Sequence, residues 1–448
     1  MITEELAAEL SNIKYEKLPE EVIFKAKMCF LDFLAVSLRG SQTSSGEIVK
    51  KIFNSQEEAT IIGSKMVSST DAAFCNGIFA HCLDLDDGHR YAQLHPGCTV
   101  IPSALAMAES RDKNGKDLIE SIVAGYQVSI ILGKLTNPQL RNNGFHSTGI
   151  CGTYGAAAAA CKIMNMSQEE TVNAIGLAGT QASGLLESDH SGSMGKHLHA
   201  GRSAQSGVLS ALLAENGFTG AKSIIEGNEG FYSAMVSHGN IPNWEIKYKT
   251  LNENKYHILD VYFKKYPLCR HLHSSIDASV ALKKAMDQDK HNTDEIQSII
   301  VRTYKIAAEH KQYHPKTVED IRQSLPFAVA ISLLKGEPNM NNIEINDEIA
   351  SLASKITIKT DSTIDNLYPN KRPSEITVKT ETNVYTRYVE LPLGEPEIPF
   401  KIMDITNKFH VLNPGFNNEL INLINQIESI KISDFMNIIQ ELDSHKID

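Results

Sequence analysis

Ile356-Thr-Ile-Lys-Thr360 and Ile376-Thr-Val-Lys-Thr380 alternate apolar and polar side chains residue by residue. A period of two is that of a strand with one buried and one solvated face. Ile296 to Tyr304 is β-branched with no helical period, and Val384 to Leu391 adds a further branched and aromatic segment. Pro392, Gly394, Pro396 and Pro399 then end the region. On either side the period changes to that of a helix. Glu21 to Leu38 sets Val22, Ile23, Ala26, Phe30, Phe33, Leu34 and Leu38 on one face, with Gly40 as a stop signal. Ser203 to Asn216 repeats the pattern and Gly217 stands where a C-terminal cap falls. Gly155 to Cys161 is nearly all Ala, which predicts a buried, closely packed helix beginning just after a glycine-rich turn. Leu420, Ile421, Leu423, Ile424 and Ile427 restore helical spacing in the tail. The expected fold is mainly α: a large all-helical domain of residues 1–265 and 401–448, discontinuous in sequence, with a smaller α+β lid domain of residues 266–400 inserted.

A chain of 448 residues is too long for one ordinary core, which agrees with two domains. Lys and Arg number 43 against 54 Asp and Glu, a net charge of −11. Nucleic-acid binding needs clustered cations, so no nucleic-acid partner is expected. The seven cysteines are scattered, odd in number and without a CxxC pair, which argues against a disulfide framework and a zinc ribbon. Glu4, Glu5 and Glu9 stand where a signal peptide carries basic residues. No run of about 18 residues reads as lacking charge or strong polarity, so no membrane partner is expected and the protein reads as cytoplasmic.

Four segments could carry chemistry. His81-Cys-Leu-Asp84-Leu-Asp86-Asp87-Gly88-His89-Arg90, with His95-Pro96-Gly97, gathers three carboxylates and three imidazoles. It reads as a solvated loop capping a helix, or as an acid/base pair tuned by carboxylates. A metal reading of His81, Asp84 and His89 matches no standard spacing, so no metal is expected. Gly144-Phe145-His146-Ser147-Thr148-Gly149 offers a proton carrier beside the N–H groups of a helix start, or a loop histidine satisfied by the backbone. Lys196, His199 and Arg202 fall three residues apart, hence on one helix face, suited to an anionic small molecule or simply solvated. No phosphate-binding glycine pattern accompanies them. Tyr266-Pro-Leu-Cys269-Arg270-His271-Leu272-His273 lies at the domain junction, where Cys269 and His273 could be read as nucleophile and base.

Together these segments resemble the MmgE/PrpD family, which holds 2-methylcitrate dehydratase, cis-aconitate decarboxylase and iminodisuccinate epimerase. The resemblance runs through His81-x-x-Asp84-x-Asp86-Asp87, His95-Pro96-Gly97, Gly144-Phe145-His146 and Lys196-x-Leu198-His199-x-Gly201-Arg202. It continues through Gly217-Phe218-Thr219-Gly220, Gly230-Phe231, and Tyr266-Pro-x-Cys269 with His273 and Asp277. It implies a helical domain with a lid, a homodimer and no organic or metal cofactor. It places Asp84, His95, His146 and Lys196 on catalytic positions, with His199, Arg202 and His273 as substrate-binding residues. The implied activity is proton transfer next to a carboxylate on a small di- or tricarboxylate, by a dehydratase or an isomerase/epimerase. Decarboxylation of cis-aconitate is the alternative, because Gly88 and Phe327 stand where such decarboxylases carry Thr and Tyr. A non-catalytic carboxylate-binding protein is the alternative of another class, and a metallohydrolase ranks behind it.

Overall fold

The computed structural model describes residues 1–237, 243–252 and 256–444. Its contacts divide the chain into two units, one of Met1–Leu186, Gly195–Phe263 and Phe400–Asp448, the other of Glu187–Met194 and Lys264–Pro399. The short Glu187–Met194 segment thus groups with the later unit, where the Thr317 hydroxyl donates to the Gly192 carbonyl at 3.1 Å.

The first unit is built on the helices Glu20–Gly40, Ser69–His81, Gly97–Ser110, Gly115–Thr136, Ser147–Ile163 and Gly195–Glu215. Ser147–Ile163 starts eight residues before the expected Ala-rich run, so Gly149, Gly152 and Gly155 lie inside the helix rather than in a turn before it. Their helical cost is offset by close approach. A Cβ on Gly155 would lie 2.7 Å from the Gly125 carbonyl oxygen, and one on Gly125 the same distance from that of Gly155. Any side chain at either position would push the Gly115–Thr136 and Ser147–Ile163 helices apart.

Gly115–Thr136 corrects the membrane argument. It is long and apolar enough to span a bilayer, and 89% of its apolar window is buried inside the protein. Asn114 and Asp117 form a capping box at its start, and the helix packs on Gly97–Ser110 and Ser147–Ile163. It is a core helix. The first unit is also not wholly helical. Ala59–Thr60 pairs antiparallel with Met66–Val67, and Gly88–His89 with Val261–Tyr262. The second pairing explains Gly88, because any Cβ there would collide with the Tyr262 ring and hydroxyl.

In the second unit a four-stranded sheet runs in the order Ile356–Thr360, Ile296–Thr303, Ser374–Thr380, Val384–Val389. The first pair is parallel and the others antiparallel, with Ile299 opposite both Ile356 and Val378. Ile299, Val301, Ile376 and Val378 are fully buried, and alternate positions face outward, as the period of two requires. His273–Gln288 packs on the Ser374–Thr380 and Val384–Val389 strands and on Leu325–Lys335. Phe327, which stands where the decarboxylases carry Tyr, is 1% exposed and belongs to this core.

Candidate active site

The helix Ser69–His81 ends in the acidic turn. Asp84 adopts φ 49°, a left-handed conformation uncommon for a residue with a side chain, and its N–H donates to the His81 carbonyl at 3.1 Å. The turn folds the three carboxylates inward. Asp84, Asp86 and Asp87 are each 2–3% exposed, which excludes the solvated-loop reading. Part of the capping reading survives: the Asp87 Oδ1 accepts from the N–H of Gly97, the first residue of Gly97–Ser110, at 3.0 Å. Its Oδ2 accepts from the Tyr126 hydroxyl at 2.6 Å. Burial pushes the Asp87 carboxyl up to about 7, against those hydrogen bonds, which favour its charged form.

Each carboxylate has a distinct neighbour. Asp84 Oδ1 lies 3.1 Å from Lys196 Nζ, where Gly195–Glu215 begins. Asp86 Oδ2 lies 2.8 Å from His81 Nδ1 and 3.6 Å from His95 Nδ1. His95 Nδ1 is also 2.6 Å from the Asp87 carbonyl oxygen. A carbonyl oxygen only accepts, so Nδ1 is assigned the hydrogen and the lone pair of neutral His95 sits on Nε2. The His95 backbone is fixed as well, its N–H donating to Thr148 Oγ1 at 3.1 Å.

His146 precedes the helix Ser147–Ile163, and its Nδ1 lies 3.0 Å from His199 Nδ1. The rings form a row. Centroids of His95 and His81 are 5.1 Å apart, those of His81 and His146 5.8 Å, and those of His146 and His199 5.1 Å. Asp84, His95, His146, Lys196 and His199 therefore come together within the first unit, although they lie on three of the four segments of sequence. His81 and Asp86 join them. Both stand in the acidic cluster and in the motif that carries the family resemblance, but neither is assigned a catalytic or binding role from sequence.

Two residues expected to bind substrate, Arg202 and His273, are engaged with other partners. Arg202 is exposed and donates to Gln205 Oε1 at 2.8 Å, away from this group. At 3.6 residues per turn, positions six apart are rotated by about 120°, so only neighbours in the 196/199/202 series share a face. His273 belongs to the second unit, where it is fully buried. Its Nε2 is 3.1 Å from the Leu268 carbonyl oxygen and its Nδ1 3.1 Å from an Arg270 guanidinium nitrogen. With both ring nitrogens so engaged it braces that unit's interior, and Cys269 Sγ faces His310 Nε2 at 3.7 Å instead. The set His81, Asp84 and His89 does not assemble: His89 Nδ1 accepts from the Ala92 N–H at 3.1 Å, beside Tyr91 and His257. His81, Asp86 and His95 do converge, with ligand-type atoms within 4.8 Å of one another. His95 Nδ1 gives its hydrogen to the Asp87 carbonyl, so the approach of that nitrogen to Asp86 is part of a hydrogen-bond network rather than a lone pair aimed at an ion.

Residues 4–243 match the MmgE/PrpD N-terminal domain and residues 266–432 the MmgE/PrpD C-terminal domain. The chain belongs to the MmgE/PrpD family. Among its relatives is the cis-aconitate decarboxylase-like protein oryM of Aspergillus oryzae, 31% identical over 251 residues, which is 53% of this chain and 52% of that one. The match thus spans about half the length of that relative. The cis-aconitate decarboxylase of Homo sapiens is 28% identical over 378 residues, 80% of this chain and 76% of that one. The 2-methylcitrate dehydratase of Escherichia coli is 23% identical over 400 residues, 82% and 81% respectively. Within this MmgE/PrpD chain all of the converging carboxylate, lysine and imidazole groups fall in the N-terminal domain match.

Proposed function

We propose that this chain is a lyase that moves a proton beside a carboxylate of a small di- or tricarboxylate, using side chains alone. The observation that carries the reading is the Asp84–Lys196 pair held beside His95 and His146 in largely buried surroundings. A proton next to a carboxylate is very weakly acidic, so its removal needs a base and a cation for the charge that develops. His95, with its lone pair on Nε2, or His146 serves as the base. Lys196 binds a substrate carboxylate, and Asp84 keeps the ammonium charged and aimed. His199 orients His146 through the Nδ1–Nδ1 contact.

Dehydration and decarboxylation share this proton step and differ in the group that leaves with the electron pair, hydroxide or carbon dioxide. The 2-methylcitrate dehydratase relatives support the first outcome and the cis-aconitate decarboxylase relatives the second. Gly88 and Phe327 do not count against decarboxylation. Phe327 is core, and the Tyr262 phenol takes the space a side chain at position 88 would fill. An isomerase or epimerase outcome would use the same proton transfer with return of the proton. A homodimer in the cytoplasm remains part of the proposal on family grounds.

Incubation with cis-aconitate and with 2-methylcitrate in deuterium oxide, followed by proton NMR, tests this reading. Deuterium next to a carboxylate, with or without a product, is the expected result. Saturable binding of both acids without exchange or product would instead favour a carboxylate-binding protein.

A further inference from the structure

The acidic turn is held from behind by a residue more than three hundred positions away. Lys408, on the helix Ile402–Leu412, places its Nζ 2.6 Å from Asp32 Oδ1 and 2.7 Å from the Leu85 carbonyl oxygen. Asp32 belongs to the helix Glu20–Gly40 and is 1% exposed; Leu85 is 2% and Lys408 9% exposed. The Ile402–Leu412 helix is itself tied to Glu20–Gly40, because Asn413 at its end donates to the Ala35 carbonyl at 2.9 Å. Two helices therefore present one ammonium to one peptide group, and Leu85 is the residue between Asp84 and Asp86.

That position matters. Rotation of the Leu85 peptide would turn Asp84 away from Lys196 on one side and Asp86 away from His81 and His95 on the other. Asp84 is also in the left-handed region, where a residue with a side chain stays only when its surroundings hold it. Burial pushes the Asp32 carboxyl upward and the Lys408 charge pulls it back, so the pair is mutually supporting. We propose that Lys408 is a positioning residue, whose ammonium fixes the Leu85 peptide and through it the direction of both site carboxylates. The effect on turnover rests on the proton-transfer reading above, whereas the effect on geometry does not.

The test uses the full-length chain with Asp32→Asn/Lys408→Met, which removes both charges and leaves neither buried alone. Nitrogen-15 ring shifts of His81 and His95 report the distance to Asp86 whether or not a substrate is known. Those resonances should move, and kcat/KM on whichever acid the wild type consumes should fall at least about 30-fold, mainly in kcat, as misplacement of a reacting group predicts. A second variant, Lys408→Met, should shift the same rings if it folds. Unchanged ring shifts in the folded double variant overturn the proposal, as does moved rings with turnover intact. Wild-type inactivity with moved rings upholds the positioning and rejects the lyase reading instead.

Discussion

Lys196 Nζ and Asp84 Oδ1 meet at 3.1 Å across 112 residues of sequence, with the lysine side chain 12% and the aspartate side chain 5% exposed. A pair so far removed from water holds its geometry in a way an exposed pair does not. It supplies the cation that the proposed proton transfer needs. Lys196→Ala should lower kcat/KM by at least about 2 kcal/mol of transition-state stabilisation. It should also destabilise the fold by about 1–3 kcal/mol, because Asp84 is left buried without its cation. Lys196→Ala/Asp84→Asn should recover part of the stability and none of the activity. Steady-state kinetics beside urea denaturation separate the two effects, and normal turnover in the single variant would remove Lys196 from the site.

Gly88 and Tyr262 form a second coupled pair. Gly88→Ala should cost about 1–3 kcal/mol, since its Cβ must displace the Tyr262 ring. Adding Tyr262→Ala should make the combined loss smaller than the sum of the single losses, the signature of two residues in contact. Thermal unfolding of the four proteins in the cycle gives the coupling, and simple additivity would contradict the packing.

Glu109 offers a clean dependence on pH, because it lies away from the carboxylate turn. Burial raises its carboxyl from 4.5 to about 7, despite hydrogen bonds from the Thr60 N–H and hydroxyl. The folded protein therefore binds a proton that the unfolded chain releases. The resulting stabilisation is fully present below about 4.5 and is lost as pH rises through about 7. It amounts to no more than about 3 kcal/mol. Urea denaturation at pH 5 and pH 8 should show wild type losing more stability across that interval than Glu109→Gln. Equal losses would place the Glu109 carboxyl in its ordinary range.

Chelation should leave the protein unchanged. The nitrogen His95 directs toward Asp86 is assigned a hydrogen bonded to the Asp87 carbonyl oxygen, so it is not poised to ligate an ion. Prolonged EDTA treatment should preserve both turnover and the thermal midpoint. Activity lost on chelation and restored by zinc or ferrous ion would show that the protein depends on a metal and overturn the side-chain-only mechanism.

Truncation should expose the first unit's core. Ile405, Phe409, Leu420, Ile424, Ile427, Phe435 and Met436 are all fully or almost fully buried, and Phe400–Asp448 groups with the N-terminal helices. A chain ending at residue 400 would leave their partners as a continuous apolar surface and should aggregate. Size-exclusion chromatography checks this; a soluble, monodisperse truncation would show that the tail is dispensable.

Much was decided by local pattern. The alternation at Ile356–Thr360 and Ile376–Thr380 and the helical spacing from Val22 to Leu38 specify their elements, because side-chain periodicity matches backbone periodicity residue by residue. Asp84, His95, His146 and Lys196 were legible as polar residues in apolar surroundings and through resemblance to the family. Local pattern could not say which neighbours each would meet. The Asp86 contacts with His81 and His95, the rotation of Arg202 away from Lys196, and the enclosure of His273 and Phe327 in the second unit arise from packing between distant segments. Gly115–Thr136 makes the same point, since an apolar helix is equally suited to lipid or to a protein core until its neighbours are known. Lys408 is the extreme case: one lysine in an ordinary amphipathic helix, whose ammonium reaches Leu85 only because the chain returns to its first helices after an insertion of more than a hundred residues.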